Sequence, residues 1–353
     1  MHWAEDPEEA HRILREIVAR HGVKRVVKAK SMLTEELGVN PLLESLGVEV
    51  YETDLGEYLI QLLGEPPSHI VGPAIHLALP DIQRLFHQRF GTPLDASPEA
   101  LAAVARKVLR EAFLTADLGI SGANFLVAET GTLALMENEG NIRLSTSLPR
   151  VHVAFVGIEK LLPRFADLAL FLPLTARAAT GQRLSTYVSL IQGPAKEGEE
   201  GPKEVHVVLV DHGRTSLLHD PEAWEVLRCL RCGACLNACP VYRQTGGAPL
   251  RLRLLGAHRG GSGPRAPGPR GHLPPSLRLH PLRSLLRSLP GEDPHPQASP
   301  YLAAESGGAG PRPHVGKRCH AGLFQGDAKP KPLPAFLQGP KGPPPAPGPP
   351  SPS

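Results

Sequence analysis

Ile13-Leu14-Arg15-Glu16-Ile17-Val18-Ala19-Arg20-His21-Gly22 runs straight into Val23-Lys24-Arg25-Val26-Val27-Lys28-Ala29, and this one stretch holds both periods of an α/β fold. Within residues 5–20, Ile13, Leu14, Ile17 and Val18 fall at helical spacing, and His21-Gly22 ends the helix. The valine-rich residues 23–29 then read as a short strand. Working outward, residues 33–46 predict a helix, 48–52 and 69–71 strands, and 75–90 and 97–115 two amphipathic helices, the second opened by Ser97-Pro98-Glu99. Further strands are expected at 125–128, 132–137, 151–156, 168–172 and 205–210. The alternation implies α/β architecture with a largely parallel sheet covered on both faces. The closely spaced strands between 120 and 156 add a mixed region with hairpins. No internal repeat is visible.

The chain has 353 residues, 41% of them hydrophobic, enough for one large or two modest domains. Its apolar runs fall far short of the ~18–20 residues that a membrane-spanning helix needs. Met1-His2-Trp3-Ala4-Glu5-Asp6 shows no basic-then-apolar leader pattern, and five cysteines are too few for a disulfide scaffold. A reducing, cytoplasmic location is the expectation. The formal charge of +3 averages two unlike materials. Residues 1–247 carry 24 Lys and Arg against 31 Asp and Glu, with 15 Pro; residues 248–353 carry 14 against 4, with 24 Pro. The latter segment has no Ile, no Asn and a single Val, Val315. Such a segment cannot bury enough apolar surface to offset its chain entropy and is expected to be disordered. Its basic charge raises the question of nucleic acid, but no nucleic-acid partner is expected.

The strongest chemical motif is Arg228-Cys229-Leu230-Arg231-Cys232-Gly233-Ala234-Cys235-Leu236-Asn237-Ala238-Cys239-Pro240. Cys-x2-Cys-x2-Cys-x3-Cys-Pro is the bacterial ferredoxin run for a [4Fe–4S] cluster. The short spacings wrap one loop round a cubane, Gly233 and Ala234 keep side chains clear, and Pro240 turns the chain away. A zinc site is the rival for four thiols, disfavoured by the tight spacing and the proline. In two-cluster ferredoxins the fourth cysteine serves the other cluster. Cys229, Cys232 and Cys235 are therefore expected to hold one cluster and Cys239 a second. The one remaining cysteine, Cys319, stands alone in Lys317-Arg318-Cys319-His320, so the second run is missing.

Residues 1–247 resemble the iron–sulfur B protein of the bacterial lactate-utilisation system, a LUD domain joined to a two-cluster ferredoxin-like domain. The resemblance rests on Lys30-Ser31-Met32-Leu33-Thr34-Glu35-Glu36, Glu52-Thr53-Asp54-Leu55-Gly56-Glu57-Tyr58 and Pro66-Pro67-Ser68-His69-Ile70. It continues in residues 116–124, Glu129-Thr130-Gly131-Thr132, Glu139-Gly140-Asn141-Ile142-Arg143 and the cysteine run with residues 241–247. It implies a fold of the sugar-phosphate isomerase and CoA-transferase type over residues 1–220, half of a ferredoxin-like domain over 221–247, and a tail over 248–353. It also implies two [4Fe–4S] clusters, a cysteine-rich A subunit and a LUD-type C subunit as partners, and L-lactate oxidation to pyruvate by their complex. The family carries a helical segment ahead of the position of His2, so an internal start at Met1 is expected. The rival readings are a LUD small-molecule binding or redox-sensing module, and a defective gene product.

The defect has a specific form. Leu282, Leu285 and Leu289 written as CTG and read one nucleotide later become cysteines, and residues 282–290 become Cys-Gly-Ala-Cys-Ser-Glu-Val-Cys-Pro. Residues 249–260 re-read in the same frame become the family's Tyr-Gly and Gly-Pro-Ile-Gly stretch. Residues from about 248 onward are therefore expected to be an out-of-frame translation, which needs no binding partner for its basic charge and gives Cys319 no role.

For a ligand in the LUD domain, Gly119, Ser121, Gly122 and Asn124 offer small residues and backbone N–H groups suited to a carboxylate or phosphate. Glu129, Thr130 and Gly131 place a carboxylate and a hydroxyl at a tight turn. Backbone geometry alone accounts for the glycines equally well. A small 2-hydroxy acid is a possible occupant. Lys30-Ser31 ends a strand, where ligands gather in open sheets. Residues 138–141 read as a hairpin turn, Arg143 as a surface ion pair, His69 and His76 as histidines flanking a strand, and His152 as a satisfied core residue.

Overall fold

The structure, a computed structural model, describes residues 1–221 and 223–245. The expected disorder and shifted frame of residues 248–353, and Cys319, lie outside the described residues.

The opening helix α1 (Pro7–His21) forms as the sequence dictates: Asp6 accepts the Glu9 N–H, Pro7 occupies the first turn, and Gly22 closes it in the left-handed conformation. Its buried face, Ile13, Leu14, Ile17 and Val18, lies on a six-stranded sheet. That sheet comprises β1 (His2–Ala4), β2 (Arg25–Lys28), β3 (Glu49–Glu52), β4 (Leu118–Ser121), β7 (Val151–Gly157) and β10 (Glu204–Val210), in the order β1-β10-β7-β4-β2-β3. Every pairing in it is parallel. A second sheet holds β5 (Phe125–Val127), β6 (Thr132–Glu137), β8 (Leu161–Leu162) and β9 (Tyr187–Ile191), in the order β8-β5-β6-β9. The mixed region is thus a separate layer built on the β5–β6 hairpin.

Alternation along β7 shows how the layers meet. Val151, Val153 and Phe155 face α1 together with α2 (Met32–Leu37) and α3 (Val39–Ser45); Ala154 and Val156 face Leu126, Leu133 and Leu135 of the second sheet. All seven residues of β7 are buried, as a central strand covered on both faces requires. Beyond it, α4 (Leu55–Leu63), α5 (Leu79–Phe90) and α6 (Pro98–Thr115) cover Val27 and Tyr51 of β2 and β3. The second sheet is covered in turn by α8 (Leu168–Thr180). Each fully buried Leu, Ile or Phe contributes about 1.5–3 kcal/mol.

Several expectations are corrected. The helix expected at 33–46 is two, α2 and α3, because Gly38 adopts φ 68° between them. Residues 168–172 are helical rather than extended; Leu168, Phe171 and Leu172 recur at helical spacing on Phe125 and Leu162. Residues 69–71 form no strand, because the His69 ring accepts the Val71 and Gly72 amides locally. The segment 138–141 is no hairpin: Gly140 precedes α7 (Asn141–Ser147), and buried Glu137 accepts the Ile142 and Arg143 amides at its first turn. Helices α4 and α7 and strands β1, β4, β8 and β9 are not among the elements the sequence predicts.

Candidate functional site

The carboxyl ends of β2, β3, β4 and β7 open onto a cavity of about 310 Å³. This is where ligands sit in open parallel sheets, because chain reversals there leave a crevice and unpaired backbone groups. Lys30 and Ser31 reach it from β2, Asp54 from β3, Ser121, Gly122 and Asn124 from β4 and its loop, and Gly157, Glu159 and Lys160 from β7. Glu137 and Asn141 also line it, as do Thr175 and Ala176 of α8 and Arg231 and Cys232 of the cysteine loop.

Of the residues singled out from the sequence, Ser121, Gly122, Asn124, Lys30 and Ser31 are brought together here. A Cβ on Gly122 would lie 2.6 Å from the Ser31 hydroxyl oxygen, so these two chain segments touch. Gly119 is not part of the lining; a Cβ there would come within 1.8 Å of the Ser145 carbonyl oxygen, which accounts for glycine by the packing of α7 on β4. Glu129, Thr130 and Gly131 lie at the other end of β5, outside the cavity. There exposed Glu129 accepts the Phe165 amide and Thr130 bonds Thr132. Arg143 stacks over the Tyr187 ring, 5.2 Å from its centroid, rather than forming the ion pair expected. His152 is core, its Nε2 2.8 Å from the Ser121 hydroxyl, and burial pulls its pKa down to about 4.

Lys160, Glu159, Glu137 and Arg231 escaped the sequence reading. Lys160 and Glu159 follow the apolar run of β7 past Gly157, the position at a strand's carboxyl end that would have exposed them. Burial, with Arg231 adjoining, pulls the Lys160 ammonium down to about 8.

The cysteine loop is held by a buried charge network. Arg231 Nη2 lies 3.2 Å from Glu36 Oε2 and 3.4 Å from Glu159 Oε1. Arg214 Nη2 lies 3.0 Å from Glu36, and its Nε 2.7 Å from Glu159. Burial works against the Glu159 carboxylate, but Arg214 and Arg231 outweigh it and hold its pKa below the ordinary value. Lys160 donates to the Cys229 carbonyl oxygen at 2.7 Å. On the other side His69 Nε2 lies 3.1 Å from the Asn237 side-chain oxygen, and the Tyr242 hydroxyl donates to the Ser68 carbonyl at 2.9 Å. His69 is therefore a clamp on the short helix Ala234–Ala238, since its Nδ1 is already an acceptor and Nε2 must donate.

Cys229, Cys232, Cys235 and Cys239 are all unbridged. Each sulfur meets a backbone amide: Arg231 N–H at 3.3 Å for Cys229, Ala234 for Cys232, Leu236 for Cys235, and Tyr242 at 3.4 Å for Cys239. Gly233, at φ 77°, and Arg231, at φ 57°, supply the left-handed turns that fold the loop, and a Cβ on Gly233 would crowd His69 at 3.0 Å. Burial pushes the Cys235 thiol up to about 11 and raises Cys232 as well. Thiols buried beneath aimed N–H groups suit metal thiolates, because binding removes the proton and the amides then stabilise the sulfur charge. The residues present fit an iron–sulfur centre.

Comparison with known proteins agrees. Residues 1–210 match the LUD domain family, and residues 225–261 match the 4Fe-4S dicluster domain, the latter match reaching beyond the described residues. The uncharacterized electron transport protein YkgF of Escherichia coli is 46% identical over 248 residues, 70% of this chain and 52% of its own. Lactate utilization protein B of Geobacillus thermodenitrificans is 45% identical over 247 residues, 69% of this chain and 52% of its own. The chain spans about half the length of these curated relatives. A crystal structure of a DUF162 family protein from Deinococcus radiodurans aligns over 58% of this chain and 98% of its own at 13% identity; its TM-score of 0.23 carries no argument. No helix among the described residues is long and apolar enough to cross a membrane. The chain belongs to the LUD domain family and follows its LUD domain with a 4Fe–4S dicluster segment.

Proposed function

We propose that this chain is the iron–sulfur electron-transfer subunit of a cytoplasmic complex that oxidises L-lactate to pyruvate. The observation that carries the reading is adjacency: Cys232 and Arg231 of the cysteine loop line the carboxyl-end cavity of the LUD domain. Cys229, Cys232 and Cys235 would hold one [4Fe–4S] cluster and Cys239 would contribute to a second, in a ferredoxin-like segment that begins near residue 221. A bound cluster supplies one-electron transfer; the protein tunes it through burial and N–H···S hydrogen bonds. The cavity is small and mixed in character, its apolar walls interrupted by Lys160 and Arg231 and by Ser121, Gly122 and Asn124. A small 2-hydroxy acid would be oriented there through its carboxylate by Lys160 and the backbone amides of the 121–124 loop, with the lining acids Asp54, Glu137 and Glu139 left to its hydroxyl side. The partners are a cysteine-rich A subunit and a LUD-type C subunit, in keeping with the name of the lactate utilization protein B relatives.

The test is lactate-dependent dye reduction by the anaerobically assembled three-protein complex, with Cys232→Ser as the variant. Loss of reduction together with loss of cluster absorbance supports the reading. Unchanged reduction favours a LUD module that binds or senses without relaying electrons. A second reading concerns the gene: the family-like composition stops near residue 247, and the second cysteine run is recoverable in a shifted frame. The written chain would then be a defective product with an incomplete ligand set.

A further inference from the structure

At the amino ends of the parallel strands, remote from the cavity and the cysteines, four side chains from three elements converge. Because α1 runs antiparallel to the strands, it delivers His21 to the end where β1 begins with His2 and β10 begins with Glu204 and His206. The β1–β10 pairing, with His2 opposite Val208, sets His2 diagonally beside His206. His21 Nε2 lies 3.4 Å and His206 Nε2 3.3 Å from the same atom, Glu204 Oε2. Both nitrogens are buried, and apart from this carboxylate neither finds a hydrogen-bond partner.

A buried polar atom left unpaired is costly, because it has given up its bond to water without replacing it. Two buried imidazole nitrogens converging on one carboxylate oxygen are satisfied either by protons or by a cation shared among the three groups. Tetrahedral zinc bonds of ~2.0–2.1 Å place neighbouring ligand atoms ~3.3–3.4 Å apart, the separation of each imidazole nitrogen from the carboxylate oxygen here. The outer contact also fits. His206 Nδ1 is 3.1 Å from His2 Nε2, so with Nε2 on a metal, Nδ1 keeps the proton and donates it to His2.

We propose that His21, Glu204 and His206 bind a divalent transition-metal cation of zinc type, with water in the fourth position and His2 orienting His206. The ion joins the end of α1 to β10 and, through His2, to β1. It is independent of the iron–sulfur chemistry, because its ligands sit at the opposite end of the sheet. Arg20 and, beside His2, the amino-terminal ammonium are cations near the site that oppose binding; the half-exposed Glu204 carboxylate, with Glu16 near His2, supplies compensating charge. Among the described residues, this is the group of His, Cys, Asp and Glu side chains whose ligand atoms come within 4.8 Å of one another.

The experiment is a zinc titration of the reduced, chelator-stripped full-length chain against a chromophoric competitor, with metal counting. The thiols also take zinc, so wild type is compared with Glu204→Gln and His206→Asn, both with cysteines intact. Wild type is expected to bind one more zinc equivalent than either variant, and zinc should raise its unfolding temperature by an increment the variants lack. His2→Asn should keep the stoichiometry and bind ~10–100-fold more weakly. Equal zinc stoichiometry and affinity in wild type and Glu204→Gln would overturn the proposal, leaving zinc on the thiols alone. Should His206→Asn fail to fold, Glu204→Gln decides, because that side chain is 47% exposed and its loss leaves the strand intact.

Discussion

Replacing Arg231 by Met tests whether the charge network holds the cysteine loop on the LUD domain. In the native protein two guanidinium groups balance two carboxylates, with side-chain exposures of 11% for Arg231, 3% for Arg214, 4% for Glu36 and 1% for Glu159. The substitution leaves one buried negative charge in excess. At 3.2 Å the lost attraction is ~5 kcal/mol per carboxylate for an effective dielectric near 20, and the guanidinium's own desolvation cost is recovered on its removal. Breaking a buried ion pair from one side costs about 3–5 kcal/mol. With Lys160 and His212 near the stranded carboxylates, the lower end, about 3 kcal/mol, is expected. That is a large share of the ~5–15 kcal/mol that holds a typical domain. Urea unfolding followed by circular dichroism measures it, and thiol labelling of Cys232, which is buried natively, reports whether the loop has lifted. Adding Glu36→Gln restores the charge balance and should recover part of the loss. A midpoint within error of wild type, with Cys232 labelled no faster, would refute the idea that this network docks the loop.

Gly119→Ala should destabilise by about 3 kcal/mol or more, since the new methyl meets a backbone carbonyl that cannot rotate away; an unfolding midpoint like wild type would show that α7 can shift. His152 supplies a pH signature: the unfolded chain takes up its proton below about 6.5 while burial delays this to about 4 in the fold. Its contribution to stability, about 3 kcal/mol, is present above pH 6.5 and is lost as pH falls towards 4; a His152→Gln variant should show a flatter stability curve over that window. Coding DNA across codons 244–252 separates the two origins of the shifted frame: a one-nucleotide difference marks a sequencing error, whereas an unambiguous match, with tail peptides by mass spectrometry, refutes that origin and leaves a mutation in the gene itself.

The motifs legible in the sequence are those whose physics is local. A cubane loop draws its thiols from adjacent residues, so the spacing of Cys229, Cys232, Cys235 and Cys239 announces it without reference to the fold. The α1–β2 unit is legible for the same reason: period, cap and glycine lie within one stretch. Short apolar runs are not, because Leu168-Ala169-Leu170-Phe171-Leu172 satisfies a buried strand and a helix equally. Nor could the turn at 129–131 be separated from the loop at 121–124, since both offer small polar residues and position alone puts one in the cavity.

The residues by themselves thus determined an α/β unit followed by an iron–sulfur loop. The tertiary structure decided that this loop closes the carboxyl-end cavity through Arg231 and Glu36, 195 positions apart, and that His2, His21, Glu204 and His206 meet at the far end. The reason is the strand order β1-β10-β7-β4-β2-β3, which places the first and last strands of the sheet side by side. Such order is set by burying both sheet faces at once, a property of the whole chain that no local spacing records.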